Sequence, residues 1–543
     1  MGQAGHEVYA EYGGTVIAWG GTPDPQSLKE AAGLKWFGSV GMVTEFGQYY
    51  ERFPQTWEEA VCRDVDGKPV KVPWLTDLKH KGVPFWWCCT NQPQFRQFLR
   101  ERVVEIIKAG ATGLHVDDHM GTSGGLWLGI CLCDRCVEGF RAYLKTLPKE
   151  ELDRAGIADA TTYDYRAVLK AWLAEDPTHR RQVTQHPLWY GLWAAYQCRA
   201  DAAFMAELRQ LAAETAGHTV PVAANAGLLW PRHLLDYKSL DLFVAETEHS
   251  APSMKVPDGP LVAYRLAEAA GHPYVATASG WDWAFIKEHN LPGLACTWVA
   301  LAYAGGQLFM PPTHEWCYTP EKGTHWWDGP ADKFAPLYRF VRAHAELFDD
   351  YETHADLGVV VPYRSLCSAP DRWIALCGRL AAANLSYRIA LAGDEVVDHP
   401  LTAADLNSCR VLLAPDTADL DPRDAKALEV RKRRGSVCAT VEEAIAAVRP
   451  AVATPGNVRV LPRKKPGSAV VHLLNRDYDA AIDDVRPQTG VRVALDLKAL
   501  GVPHARQCRL VAPSADPVVL KVTQGSVTVP SLGLWALLVF TNR

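Results

Sequence analysis

Residues 113–119 read GLHVDDH. Side chains alternate along a strand, so Leu114 and Val116 are expected to face one layer and His115, Asp117 and His119 the other. The adjacent carboxyls of Asp117 and Asp118 at the end of a buried strand repel each other and lose hydration, an arrangement kept more readily for chemistry than for stability. A helix N-cap or a loop salt bridge is the plainer reading, and it suits Asp118 better than Asp117. On either side, further short β-rich runs fall at 15–19, 36–43, 84–89, 220–224, 242–245, 274–278 and 307–310, eight with the strand at 112–117. Amphipathic stretches separate them, such as 95–109, where Phe95, Leu99, Val103 and Ile107 share a face; 188–216 and 260–271 read the same way. Eight strands with intervening helices predict a (β/α)8 TIM barrel over residues 1–348, because parallel strands need helical crossovers and a closed ring removes both sheet edges. His115, Asp117 and His119 then face the barrel axis, with Asp117 near the mouth. Two longer stretches, 49–73 and 121–187, extend loops on that face.

Beyond residue 348 the texture changes. DLGVVVP at 356–362 reads as a buried strand, 370–383 as a helix and 410–414 as a second strand, so residues 349–452 predict a small α/β domain lacking a phosphate-binding glycine fingerprint. From 453 to 543, short strands divided by Pro, Gly, Asn and Asp predict an antiparallel β-sandwich. RKRR at 431–434 reads as a solvated basic loop.

Fifty-six basic residues stand against 62 acidic ones, so no overall basic field exists to hold a phosphate backbone and no nucleic-acid partner is expected. The apolar run 293–310 approaches membrane-spanning length, but Gly305 and Gly306 interrupt it, and it reads as a buried helix leading into a strand with no membrane partner. Residues 1–12 carry Glu7 and Glu11 and no apolar core of secretory length, so no signal peptide is expected. Fourteen cysteines, several of them adjacent or tightly spaced, suit reduced thiols and metal binding in the cytoplasm better than a secreted disulfide framework.

Cys131, Cys133 and Cys136 form C-x-C-x-x-C, a spacing that lets three thiolates converge on one tetrahedral ion. The fourth ligand is expected from Cys88 or Cys89 at the end of the third strand, with Cys89 favoured. The expected cofactor is a structural zinc that fixes the long loop after strand four; separate buried thiols are the plainer alternative.

Strand six ends FVAETEH at 243–249, placing Glu246 and Glu248 on one side of an extended segment. Glycoside hydrolysis needs two carboxyl groups flanking one bond, one ionised and one protonated, and Asp117 with Glu246 can supply the pair. Their separation should be about 5–5.5 Å for retention and about 6.5–9.5 Å for inversion. Surface ion pairing is the alternative for Glu246 and Glu248. Other strand ends are polar too: Glu45 after strand two, Asn225 after strand five, Asp282 after strand seven, and His314 and Glu315 after strand eight. Trp19, Trp86, Trp87, Trp281, Trp283, Trp316, Trp326 and Trp327 cluster at the same ends, where indole faces can stack on pyranose rings if they are not simply core.

CTNQPQFR at 89–96 leading into a helix, the strand end Val116-Asp117, and CLCDRC at 131–136 followed by Phe140 and Arg141 resemble glycoside hydrolase family 42, with a similar domain order over nearly the whole chain. The resemblance implies a β-galactosidase-type barrel, a zinc held by Cys89, Cys131, Cys133 and Cys136, a flavodoxin-like trimerisation domain making a homo-oligomer, and a small β-domain. The acids depart from the family. Its members end strand four with Asp-Asn-Glu, where this chain has Asp117-Asp118-His119, and their second glutamate ends strand seven, where this chain has SGWDW at 279–283. An Asp on strand four with an acid on strand six is instead similar to α-galactosidase and α-glucosidase barrels.

The first reading is therefore a glycoside hydrolase acting on a small or plant-derived oligosaccharide, with Asp117 as nucleophile or base and Glu246 as general acid. Asp118, Glu248, His115 and His119 would tune and orient them. A second reading keeps the family positions and uses Asp282 with Asp118. A third is a sugar-binding protein that kept the scaffold and lost its acids.

Overall fold

The computed structural model describes residues 6–176, 178, 180–433, 435–513 and 515–542. It divides into two compact units: Val16–Ala226 with His233–Asp241, and Met1–Thr15 with Gly227–Arg232 and Leu242–Arg543.

In the first unit, strands β1 (Val16–Gly20), β2 (Lys35–Gly41), β3 (Gly113–Asp117) and β4 (Val222–Ala224) pair in parallel in that order. Helix α1 (Pro93–Lys108) starts with proline, whose missing N–H is no loss in a first turn, and buries Phe95, Phe98, Leu99, Val103, Ile106 and Ile107 on one face. It lies hard on β2: a Cβ at Gly38 would come 2.3 Å from the Ile106 side chain. Asp117 is the last residue of β3, beside Gly41 of β2.

The third expected strand, 84–89, does not join this parallel array, and β2 pairs directly with β3. The segment pairs antiparallel instead, Cys88 opposite Val61 and Trp86 opposite Lys71. Its backbone groups are satisfied there: Cys62 N–H donates to Trp87 O and Cys89 N–H to Ala60 O. Trp87 and Cys89 join a core with Cys62, Leu126, Phe140 and Trp189, so the segment braces the long loop after β3.

The second unit carries the parallel strands β5 (Leu242–Thr247), β6 (Tyr274–Ala278) and β7 (Leu308–Phe309), joined through helices α2 (Pro260–Ala270), α3 (Gly280–His289) and α4 (Pro292–Ala304). The hairpin β8 (Glu315–Thr319) and β9 (Gly323–Trp327) follows. Parallel strands alternating with helices make a (β/α)8-type TIM barrel, with seven parallel strands among the described residues. The apolar run expected to be a buried helix is α4, and no helix among the described residues is long and apolar enough to cross a membrane.

Next come four parallel strands, β10 (Leu357–Pro362), β11 (Tyr387–Ala392), β12 (Val411–Leu413) and β13 (Ser436–Cys438), in spatial order β11-β10-β12-β13, the flavodoxin-like order. The basic run at 431–434 is not simply solvated. Arg431 is buried and donates to the carbonyls of Leu406, Cys409 and Arg410, satisfying backbone that would otherwise be orphaned; Lys432 and Arg433 are exposed, and Arg434 lies outside the described residues. The C-terminal region holds antiparallel sheets of six and three strands. The six-stranded sheet recruits Glu352–Thr353, from before the α/β region, against Lys464 and Arg463.

Candidate functional site

Cys89, Cys131, Cys133 and Cys136 are all buried, and their sulfurs lie within 4.8 Å of one another. Cys89 Sγ is 3.5 Å from Cys136 Sγ and 3.9 Å from Cys133 Sγ. The sulfur–sulfur edge of a zinc tetrathiolate is about 3.8 Å, given a Zn–S bond near 2.3 Å, so this donor set fits a tetrahedral, sulfur-loving divalent ion. Donors point at the sulfurs: Arg63 N–H at Cys131 (3.4 Å), Asn91 Nδ2 at Cys136 (3.4 Å) and Thr122 Oγ1 at Cys89 (3.6 Å). Such contacts orient and tune thiolate ligands. Burial pushes the Cys131 and Cys136 thiols well above the ordinary range; against the same burial, hydrogen bonds from neighbouring cysteines bring Cys89 well below it. Cys88 stands outside this group of four. Cys62, which the spacing of the others gave no reason to include, is buried within hydrogen-bonding reach of Cys131 and Cys89.

At the end of β3, Asp117 accepts from Asn225 Nδ2 and from the Asp118 N–H, each at 3.1 Å. Loss of water pushes its carboxyl above the usual carboxylate range. Asp118 takes a left-handed φ of 47°, which short polar residues tolerate and which turns the chain out of the strand. His115 is buried, its ring 4.3 Å from that of Trp19, and burial pushes it down to about 3, so it is neutral. His119 Nδ1 meets Asp236 Oδ2 at 2.9 Å, both fully buried, with the His233 ring edge-on at 5.1 Å. Asp236 and His233 were not legible as site residues, since they lie more than a hundred residues from His119 with no local motif. Among the described residues, both ring nitrogens of His115, Nε2 of His119, Nδ1 of His233 and Oδ1 of Asp236 have no hydrogen-bond partner. Glu45 is buried beside Arg102 at 3.4 Å and accepts from the Gly41 N–H; burial pushes its carboxyl up. Trp87 is buried, donates to Gly121 O and packs edge-on against Trp74, which makes it core.

In the second unit, Glu246 of β5 stands in register beside Thr277 of β6, so the two side chains leave the same face. Thr277 Oγ1 donates to Glu315 Oε2 at 3.0 Å and accepts from Trp283 Nε1 at 3.1 Å. Glu315 is buried, and burial pushes its carboxyl up to about 8, so it is neutral at pH 7. Glu248 is exposed; partial burial, then repulsion from Asp282 and Asp371, raises it. Asp282 is buried and fully engaged, accepting from the N–H groups of His249 (2.8 Å) and Ala251 (2.7 Å) and from Ser279 Oγ (2.8 Å), a latch on the loop after β5. Trp283 is core, whereas Trp281 is 53% exposed. Trp316 stacks on Tyr318 at 5.8 Å, and His314 stacks on Trp326 at 4.6 Å while bonding Asp328 at 2.6 Å. Asp117 belongs to the first unit and Glu246 to the second.

The fold is one shared with barrel glycosidases. It matches a β-galactosidase from Bacillus circulans sp. alkalophilus with a TM-score of 0.64 at 12% identity, covering 98% of this chain and 96% of that one. It also matches α-L-fucosidase isoenzyme 2 from Paenibacillus thiaminolyticus with a TM-score of 0.63 at 12% identity, covering 99% and 96%. In sequence the chain is 22% identical to the α-agarase of Alteromonas agarilytica over 98% of this chain and 40% of that one. It is 23% identical to the α-agarase of Thalassotalea agarivorans over 72% and 28%. The chain therefore spans less than half the length of either relative. No protein-family model matches it. It is a relative of glycoside hydrolases, and family 42 β-galactosidases are among the structures that share its fold.

Proposed function

We propose that this chain hydrolyses glycosidic bonds of an agar-type polysaccharide with two carboxyl groups from its strand ends. The observation that carries the reading is similarity to an α-agarase along 98% of the chain. It moves the expected substrate from a small or plant-derived oligosaccharide to a polymer. In a (β/α)8 barrel, strands open their C-terminal ends on one face, which supports Asp117 and Glu246 as the working pair. Asp117 is the nucleophile or base. Glu246 is the acid that delivers a proton to the leaving oxygen as the anomeric C–O bond breaks. Asn225 and the Asp118 N–H hold the Asp117 carboxyl in place. The alternative acid, Asp282, is weakened by the three donors that already occupy it.

Descent from a family 42 scaffold with relocated acids belongs to the same proposal, as does a homo-oligomer formed through the flavodoxin-like region, which light scattering would check. Cys89, Cys131, Cys133 and Cys136 would hold a zinc ion, which supplies a cross-link between loops and no step of the reaction. The test is incubation of the wild type, Asp117→Asn and Glu246→Gln with dissolved agarose. New reducing ends should appear with the wild type and fall by roughly 10²–10⁴-fold in each variant. A wild type that releases none would end the reading.

A further inference from the structure

The hairpin β8–β9 has two unlike faces. Glu315 and Cys317 are buried, and Trp327, level with Glu315 across the hairpin, packs its ring 5.5 Å from Trp283. Alternation sends Trp316 and Tyr318 to the opposite face, and Trp326, level with Trp316, joins them there. This second face should be polar in a two-stranded hairpin, yet it is aromatic, and Trp326 is 37% exposed. Trp281, from the first turn of α3, continues the run edge-on to Tyr318 at 5.6 Å, and Tyr318 continues to Trp316 at 5.8 Å.

These rings are held, not loose. A Cβ at Gly280 would come 2.5 Å from the Trp316 ring, so the indole lies directly on the start of α3. His314 and Trp326 are parallel within 3°. Nearby charges are matched in place: Lys322 pairs with Glu288, Asp328 bonds His314, and Lys287 donates to the Trp326 carbonyl. A rigid, aromatic, charge-balanced strip suits the apolar faces of uncharged sugar rings, and fixed rings lose little entropy on binding.

We infer that the outer face of β8–β9, with Trp281, is a docking platform for a run of uncharged pyranose rings of the polymer, on the side of the hairpin away from Glu315. The inference rests on the proposed polysaccharide substrate and adds to it a binding surface that engages long chains more than short ones. Tyr318 is its new member, and Trp281, Trp316 and Trp326 gain a defined place on one face.

Affinity electrophoresis in gels containing dissolved agarose tests it, comparing wild type with Tyr318→Ala, Trp326→Ala and the conservative Trp326→Phe, with melting curves to confirm folding. Agarose should retard the wild type, and each alanine variant should lose about ten-fold in affinity, with Trp326→Phe largely restoring it. KM for the polymer should rise in the alanine variants more than KM for a short agarose oligosaccharide. Equal retardation of folded variants and wild type, no retardation of the wild type, or a change in oligomeric state in place of polymer affinity would overturn the platform. A wild type that is retarded through these residues but cleaves nothing would overturn the proposed hydrolysis and leave the platform standing.

Discussion

The thiol cluster and the acidic strand ends are built in opposite ways. Three of the four sulfurs come from one six-residue stretch, and the fourth from a segment clamped to neighbouring loops by its own backbone hydrogen bonds. The acids come singly from separate strands, and each is set by a different neighbour: Asn225 for Asp117, a strand register for Glu246, and Thr277 for Glu315. A cluster dense in sequence tolerates little change in chemistry, because each of its sulfurs would be indispensable to an ion that the four could share. A dispersed set of acids can exchange roles while the scaffold stays the same.

The contrast breaks most sharply at the cluster. Cys133→Ser should remove the bound metal altogether, from about one equivalent to none by atomic absorption, and loosen the loop after β3. Metal retained at full occupancy would mean that Cys62 replaces the lost ligand or that the four cysteines are not the site.

Asp282 comes next. Asp282→Ala strips two buried N–H groups of their acceptor and should cost about 2–4 kcal/mol in denaturant unfolding. If Asp282→Asn instead abolished hydrolysis while the fold stayed as stable as wild type, the acid would belong to the reaction and not to the latch.

The smallest effect sharpens the reading of Glu315. A carboxyl whose folded pKa is raised holds a proton that the unfolded chain loses above about pH 4.3. Its contribution to stability is full below that value and fades as pH rises through about 8. Glu315→Gln keeps the neutral form, so its Tm should gain on the wild type by a few degrees between pH 5 and 9. Buried neutral His115 and His249, held near 3 and 4, act in the opposite sense below about pH 6.5, but they are common to both proteins and cancel in the difference. Parallel Tm–pH curves would show that Glu315 titrates as an ordinary acid.

Reading order along the chain worked where local pattern carries the physics. The α1 face of Phe95, Leu99, Val103 and Ile107 formed as the periodicity implied, and a strand formed at Gly113–Asp117, although Asp118 turns the chain out of it and leaves His119 beyond the alternation. It failed at 84–89, where an apolar, aromatic run looks the same whether its partners are parallel or antiparallel. Trp87 and Trp283 were likewise indistinguishable from sugar-stacking tryptophans until their indole N–H groups were found bonded inside the core. The partner of His119 could not be read at all, because no local pattern ties it to Asp236.

What the amino-acid order determined by itself was most of the elements and the spacing of three cysteines that could share one ion, since both depend on neighbours a few residues away. Only the tertiary structure decided which polar groups are spent on holding the fold and which are held in reserve. Desolvation and hydrogen bonding act between residues that the chain alone leaves far apart: Asp282 with the loop after β5, Glu315 with Thr277, His119 with Asp236.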